Sequence, residues 1–259
     1  MGRHSYNDIL ISSQPAGCHR ESTDILVAFE PETLCRHALT VAESGFIIYS
    51  ADDADVEFNQ LPYLDDRFRD DINATLSANA LPSSTRGLVQ MVHQRGVSGI
   101  GVPYRSLLAR LADELGLPRQ AVSAVLNTLA VSISATLMYL PQERLLSAVE
   151  AAFAGRDDII RMNRQAVTIA YEYARQYALE QIGRQRYRIP SAGRDAERLL
   201  LTATQSVALG KLAAGMGFQS YYPISPATDE STYLEAHANV ALSNGEAAGP
   251  LILQGFPKV

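Results

Sequence analysis

Sulfur ligands are scarce in this chain: Cys18 and Cys35 are its two cysteines and no C-x-x-C occurs, so it cannot by itself supply the four thiolates that hold an iron–sulfur cluster. Any cluster chemistry would belong to a partner. The histidines, His4, His19, His37, His93 and His237, form no H-E-x-x-H or H-x-x-H pair, so no metal ligand is assigned. Cys18 beside His19 does not make a nucleophilic pair, because adjacent side chains in a polar loop diverge and catalytic partners meet in space. Clustered positive charge is also missing. With a formal net charge of −6 and one dense basic run, "RQRYR" at 184–188, the chain lacks the phosphate-neutralising surface that nucleic acid requires. The opening "MGRHSYNDIL" has a cation but no apolar run behind it, so no signal peptide is expected. Residues 120–140 carry no formal charge, yet Asn127, Thr128, Ser132, Ser134 and Thr136 interrupt them; the stretch reads as a buried helix, not a membrane span, and a cytoplasmic location is expected. No G-x-G-x-x-G follows a strand and opens a helix, which disfavours a nicotinamide dehydrogenase, and "GVSGIG" at 96–101 is not a phosphate-cradling loop.

What is present alternates strand-like and helix-like patterns. "HSYNDILIS" (4–12), "TDILVAF" (23–29) and "FIIYS" (46–50) read as strands, with a helix "PETLCRHALTVA" between the last two and an acidic loop "ADDADVE" (51–57) after them. Such order implies an α/β fold with a largely parallel sheet and functional loops at the carboxyl ends of its strands. From residue 103 helices take over. "PYRSLLARLADELG" and "PQERLLSAVEAAFAG" both start on Pro and end on Gly, and the helix from Asp157 aligns Ile160, Asn163, Val167 and Ala170 on one face. At 259 residues the chain fits two domains. The charged, aperiodic "GRQRYRIPSAGRD" marks the boundary, giving a first domain over 1–183, a linker over 184–194 and a second α/β unit over 195–259. That unit has helix, strand, helix and strand only, half of a doubly wound sheet, so open apolar edges are expected.

Within it, "YYPISPATDES" (221–231) is a stiff corner. Pro223 and Pro226 fix φ on either side of Ser225, Thr228, Asp229 and Ser231 are N-cap types, and "TYLEAHANVAL" follows as a helix. A strand therefore runs into a helix N-terminus with a hydroxyl beside it. On local physics alone this is either an ordinary capped turn or a seat for a small anion such as a carboxylate.

The corner resembles the Y-P-I-T-P-S-[ST]-[DE] signature of the 2-oxoacid:ferredoxin oxidoreductases. The preceding "TATQSVALGKLAAGMGF" is similar to that family's T-G-N-E-A-[IV]-A-x-G-x-x-A-A-G segment, while "GRHSYNDILIS" and "DILVAFEPETLCRHA" resemble strands of its gamma domain. The likeness covers nearly the whole chain, in the gamma-then-alpha order of fused subunits. It implies coenzyme-A-dependent oxidative decarboxylation of a 2-oxoacid on thiamine diphosphate and Mg²⁺, with electrons leaving through an iron–sulfur cluster to ferredoxin. It further implies that a beta subunit holds the diphosphate, the Mg²⁺ and the cluster, none being bound by this chain alone, and that turnover needs that partner.

Residue by residue, the resemblance makes Ser225, with Tyr222, Pro223 and Pro226, the substrate-binding corner, and sets Thr204 and Gln205 facing the cofactor. Ser225 stands for the family's Thr, keeping the donor and losing the methyl that narrows its rotamers. Ala203 and Thr204 replace the usual Gly and Asn. The family's first strand and G-G-Q-G turn have no counterpart ahead of residue 1, and "GFPKV" follows Gln254 where the family continues to the glutamate that meets the thiamine aminopyrimidine. The segment therefore looks truncated at both ends, and no catalytic residue is assigned within it. A non-catalytic remnant or interaction protein that keeps the family's docking surfaces is the alternative.

Overall fold

The computed structural model describes residues 6–12, 18, 20–179, 187, 201–225, 227–237, 239–241 and 247–255. These divide into two compact units, Met1–Pro190 and Ser191–Val259.

The first unit is built on three parallel strands in the order β1 (Thr23–Ala28), β2 (Val41–Ser50), β3 (Ser98–Val102). Phe46, Ile47 and Ile48 of β2 are buried in succession, as a strand covered on both faces requires. On one face Ile47 packs with Leu34 and Cys35 of α1 (Pro31–His37), Ile72 and Leu76 of α2 (Asp66–Ala78), and Leu88 and Val92 of α3 (Thr85–Gln94). On the other, Phe46, Ile48 and Ile100 meet Leu107 and Leu111 of α4 (Tyr104–Leu115), Leu129 and Ile133 of α6 (Leu126–Leu137), and Ile169 and Ala170 of α8 (Asp157–Tyr173). Truncating a residue such as Ile48 to alanine would cost about 2–5 kcal/mol.

The polar-flecked stretch at 119–137 is long and apolar enough, by length and composition, to cross a membrane. It is instead broken into α5 (Arg119–Val122), a 3-10 turn (Ser123–Val125) and α6 (Leu126–Leu137), with Leu129, Ile133 and Leu137 fully buried. Its hydroxyls are absorbed locally: Ser132, Ser134 and Thr136 donate to carbonyls one turn back, and Thr128 donates to Asn163 of α8 (Asp157–Tyr173) at 2.5 Å. Asn163 in turn donates to Ile159 O at 2.8 Å. The helix α7 (Gln142–Ala152) adds Val149 to a smaller cluster with Val167 and Tyr171.

Several sequence expectations need correction. Residues 6–12, read as a strand, form none, and Ile9 is 84% exposed. An alternating run becomes a strand only where a neighbour supplies its ladder, and β1 pairs with β2 alone among the described residues. The acidic loop is not a plain loop either. It opens with a 3-10 turn (Ala51–Asp53) and caps two helices: Asp52 Oδ2 accepts from Arg105 N at 2.9 Å, and the carbonyls of Ala54 and Val56 accept from Arg86 N and Thr85 N at 2.8 and 3.0 Å. These are bonds that α3 and α4 lack from their own first turns. "GVSGIG" lies mainly in β3, where a Cβ on Gly101 would stand 3.1 Å from the Tyr49 hydroxyl and one on Gly99 2.9 Å from Val89 Cγ1. Those glycines serve packing. Tyr187, drawn as linker, places its ring edge-on to Phe46 with centroids 5.3 Å apart, and its hydroxyl donates to Ser44 O at 3.0 Å.

The second unit comprises α9 (Ala203–Ala213), β4 (Phe218–Tyr221), α10 (Ala227–Ala236), a short antiparallel pair β5 (Val240–Ala241) and β6 (Ala247–Ala248), and β7 (Leu251–Gln254), which pairs parallel with β4. α10 starts earlier than the N-cap residues suggest, with Thr228, Asp229 and Ser231 inside it, and it ends before Val240 and Ala241 turn to strand. Ser231 is fully buried and bonded to Gln219 at 2.9 Å; a tertiary partner has overridden its capping preference.

Candidate functional site

In the first unit the described residues line a small cavity at the carboxyl ends of β1 and β2. The acidic loop and the starts of α1 and α3 leave a cavity of about 10 Å³, lined by Ala28, Pro31, Leu34, Tyr49, Ser50 and Thr85 among others, room for at most a single water. A substrate of several heavy atoms does not fit there.

The second unit is different. α9 runs through a turn at Gly215 into β4 and α10 leaves from the far end of that strand, so both helix N-termini lie toward the carboxyl end of β4. The corner sits between β4 and α10. Ile224 N donates to Tyr222 O at 2.8 Å, Gly255 N to Tyr221 O at 2.6 Å, and Thr228 N to Ile224 O at 3.1 Å, which begins the helical ladder. Tyr222, Pro223 and Ser225 are exposed; Pro226 lies outside the described residues. The Ser225 hydroxyl thus stands open to solvent at the start of α10, where unpaired N–H groups and the helix dipole favour an anion.

Thr204 and Gln205 are brought to the same end but are engaged in holding it. Thr202 Oγ1 accepts from Gln205 N at 3.2 Å while Gln205 Oε1 accepts from Thr202 N at 2.9 Å, a reciprocal capping box, and Thr204 Oγ1 lies 3.0 Å from Thr202 Oγ1. Gln205 closes the helix start.

Sequence reasoning missed the supports beneath the corner. The β4–β7 register puts Gln219, Tyr221, Ile252 and Gln254 on one face. Gln219 donates to Ser231 on α10 and accepts from Lys211 Nζ on α9 at 2.9 Å, and Lys211 also pairs with Glu230. Tyr221 donates toward Glu235 and Gln254, each at 3.3 Å. Desolvation and the Glu235 carboxylate raise the Tyr221 phenol above its ordinary value. The signal for Gln219 was the alternation in "FQSYYPI", which sets a polar side chain on the helix-facing side of a strand. The opposite face, Phe218, Ser220, Leu251 and Leu253, carries no other strand or helix among the described residues of this unit, with Phe218 54% and Leu251 59% exposed.

The family model described as pyruvate ferredoxin/flavodoxin oxidoreductase matches residues 1–173. Similar relatives include the subunit alpha of 2-oxoacid:ferredoxin oxidoreductase 1 from Sulfurisphaera tokodaii, 30% identical over 94% of this chain and 37% of its own length. The subunit alpha of 2-oxoacid:ferredoxin oxidoreductase 2 from Aeropyrum pernix is 26% identical over 100% of this chain and 39% of its own. The chain therefore spans under two-fifths of either relative. Among solved structures, a 2-oxoglutarate:ferredoxin oxidoreductase from Magnetococcus marinus, with 2-oxoglutarate, coenzyme A and succinyl-CoA bound, shares the fold with a TM-score of 0.60 at 18% identity, over 94% of this chain and 34% of that one. With the family model spanning residues 1–173 and alpha-subunit relatives aligned along nearly all of it, the chain belongs to the pyruvate ferredoxin/flavodoxin oxidoreductase family.

Proposed function

We propose that this chain provides the gamma-type domain and the leading part of the alpha-type domain of a 2-oxoacid:ferredoxin oxidoreductase. Joined to a beta subunit, it would serve the coenzyme-A-dependent oxidative decarboxylation of a 2-oxoacid, with electrons passing to ferredoxin. The carrying observation is the open Ser225 hydroxyl at the N-terminus of α10, next to the exposed Tyr222 and at the same end as the capped start of α9. Ser225 donates to one oxygen of the substrate carboxylate, and the first N–H groups of α10 and its dipole stabilise the remaining charge. The stiff corner orients the oxoacid so that its carbonyl carbon, not its carboxylate, faces the reaction centre.

The residues of this chain do not fit the family's prosthetic groups. Among the described residues no group of three or more His, Cys, Asp or Glu is placed to hold a metal ion. Cys18 is exposed and Cys35 is buried, and the Cys35 thiol is pushed up to about 12 by burial. Two separate cysteines of that kind do not make a cluster site. In this proposal thiamine diphosphate, Mg²⁺ and the cluster are held by the beta subunit, and the chain's share is substrate positioning and docking. The relatives, both alpha subunits, favour this reading over a non-catalytic remnant.

The test is 2-oxoacid- and coenzyme-A-dependent ferredoxin reduction by the chain assembled with a candidate beta subunit. A hydrogen bond to a charged group is worth about 1.5–3 kcal/mol, so Ser225→Ala should lower kcat/KM roughly tenfold to a hundredfold and Ser225→Thr should be close to neutral. An alanine variant as active as the parent would remove the substrate assignment.

A further inference from the structure

The corner has few ties of its own. β4 is four residues long, pairs only with β7 among the described residues, and hands the chain to Tyr222–Ser225 through backbone bonds alone. Beside Tyr221, which reaches Glu235 of α10 and Gln254 of β7, Gln219 links β4 to both helices. The Gln219 amide donates to Ser231 Oγ, a fully buried hydroxyl on α10, and accepts from Lys211 Nζ on α9, both at 2.9 Å. Lys211 closes the circuit on Glu230, the neighbour of Ser231 in α10. Because the amide is planar, its donor and acceptor directions are fixed relative to each other, so a shift of either helix against β4 breaks a bond.

We propose that Gln219 is a positioning residue of the substrate corner: it locks α10, which starts just beyond Ser225, and the helix whose capped end lies alongside to the strand that joins them in sequence. This rests on the reading of Ser225 as the carboxylate donor and deepens it. Gln219 acts through Ser225 and touches no substrate.

The experiment is a double-mutant cycle in the complex with the beta subunit, using Gln219→Met, which keeps length and volume without the bonds, and Ser225→Ala. Gln219→Met alone should raise KM for the 2-oxoacid roughly threefold to tenfold with KM for coenzyme A unchanged. Added to Ser225→Ala it should cost little more, because the group it positions is already gone. Gln219→Glu, which keeps the acceptor for Lys211 and loses the donor to Ser231, should fall between. Independent, multiplying losses, or a drop in thermal stability with unchanged KM, would overturn the positioning role alone. A silent Ser225→Ala would overturn the substrate reading beneath it. If Gln219→Met does not assemble, Ser231→Ala removes only the acceptor and carries the same cycle, with the same non-additivity expected.

Discussion

Cys35 packs in the layer of Leu34, Leu88 and Val92, and burial, helped by Glu32 and opposed by Arg36, lifts its thiol from 9.0 to about 12. A group whose folded pKa is raised stays neutral in the native state while it ionises in the unfolded chain, so this cysteine's contribution to stability is complete below about pH 9 and is lost as pH rises toward 12. At pH 8 a thiol reagent should therefore modify the exposed Cys18 promptly and reach Cys35 only on unfolding; equal labelling of both in the native chain would contradict the burial. Thr85 offers a different residue-scale test. Its Oγ1 is buried without a hydrogen-bond partner at the first turn of α3, and such a group carries a desolvation cost that an apolar isostere avoids. Thr85→Val should be neutral or stabilise by up to about 1 kcal/mol, seen as an unchanged or raised Tm. A marked loss would mean that the hydroxyl is engaged after all.

At the scale of elements, local signals were legible where they agreed with packing. The apolar runs of β1 and β2, the Pro starts of α4 and α7 and the Gly end of α4 could be read directly: Gly116, with φ of 64°, ends α4 as its position suggested, whereas α7 stops at Ala152, short of Gly155. The start of α10 was misplaced because several capping residues competed and only the Gln219 contact decides which of them the helix swallows. α2 and α3 gave no such clear signal, since their entries rest on Asp65 and Ser84 within a polar loop region. The candidate corner was legible as a motif, but its supports were not, because Lys211, Gln219 and Ser231 meet only once three elements are stacked. The capping box of α9 yields a discriminating pair of variants. Gln205→Glu preserves the cap chemistry and should leave stability and turnover near the parent, whereas Gln205→Ala should cost about 1 kcal/mol in the second unit. A charge-dependent change in turnover with the glutamate variant would support a cofactor-facing role for Gln205.

For the whole molecule, the exposed side chains on one face of β4 and β7 predict how the chain behaves in isolation. Phe218, Leu251 and Leu253 form an exposed apolar strip on a two-stranded sheet, an arrangement of marginal independent stability. Co-expression with a beta subunit should raise the soluble yield and give one species on size exclusion, while an equally soluble monomer that ignores the partner would count against the assembly. The cap that Asp52 places on α4 bears on how the first unit is made. Its carboxylate sits at the end of β2, but the amide it accepts from belongs to Arg105, beyond β3, so the bond exists only after the chain has crossed over and β3 has docked. Contacts that close such long loops form late. Asp52→Ala should thus accelerate unfolding, about fivefold for a cap worth about 1 kcal/mol, and leave the refolding rate nearly untouched. The acidic loop is in that sense a latch on the finished sheet, setting how long the native state survives and not how fast it is reached.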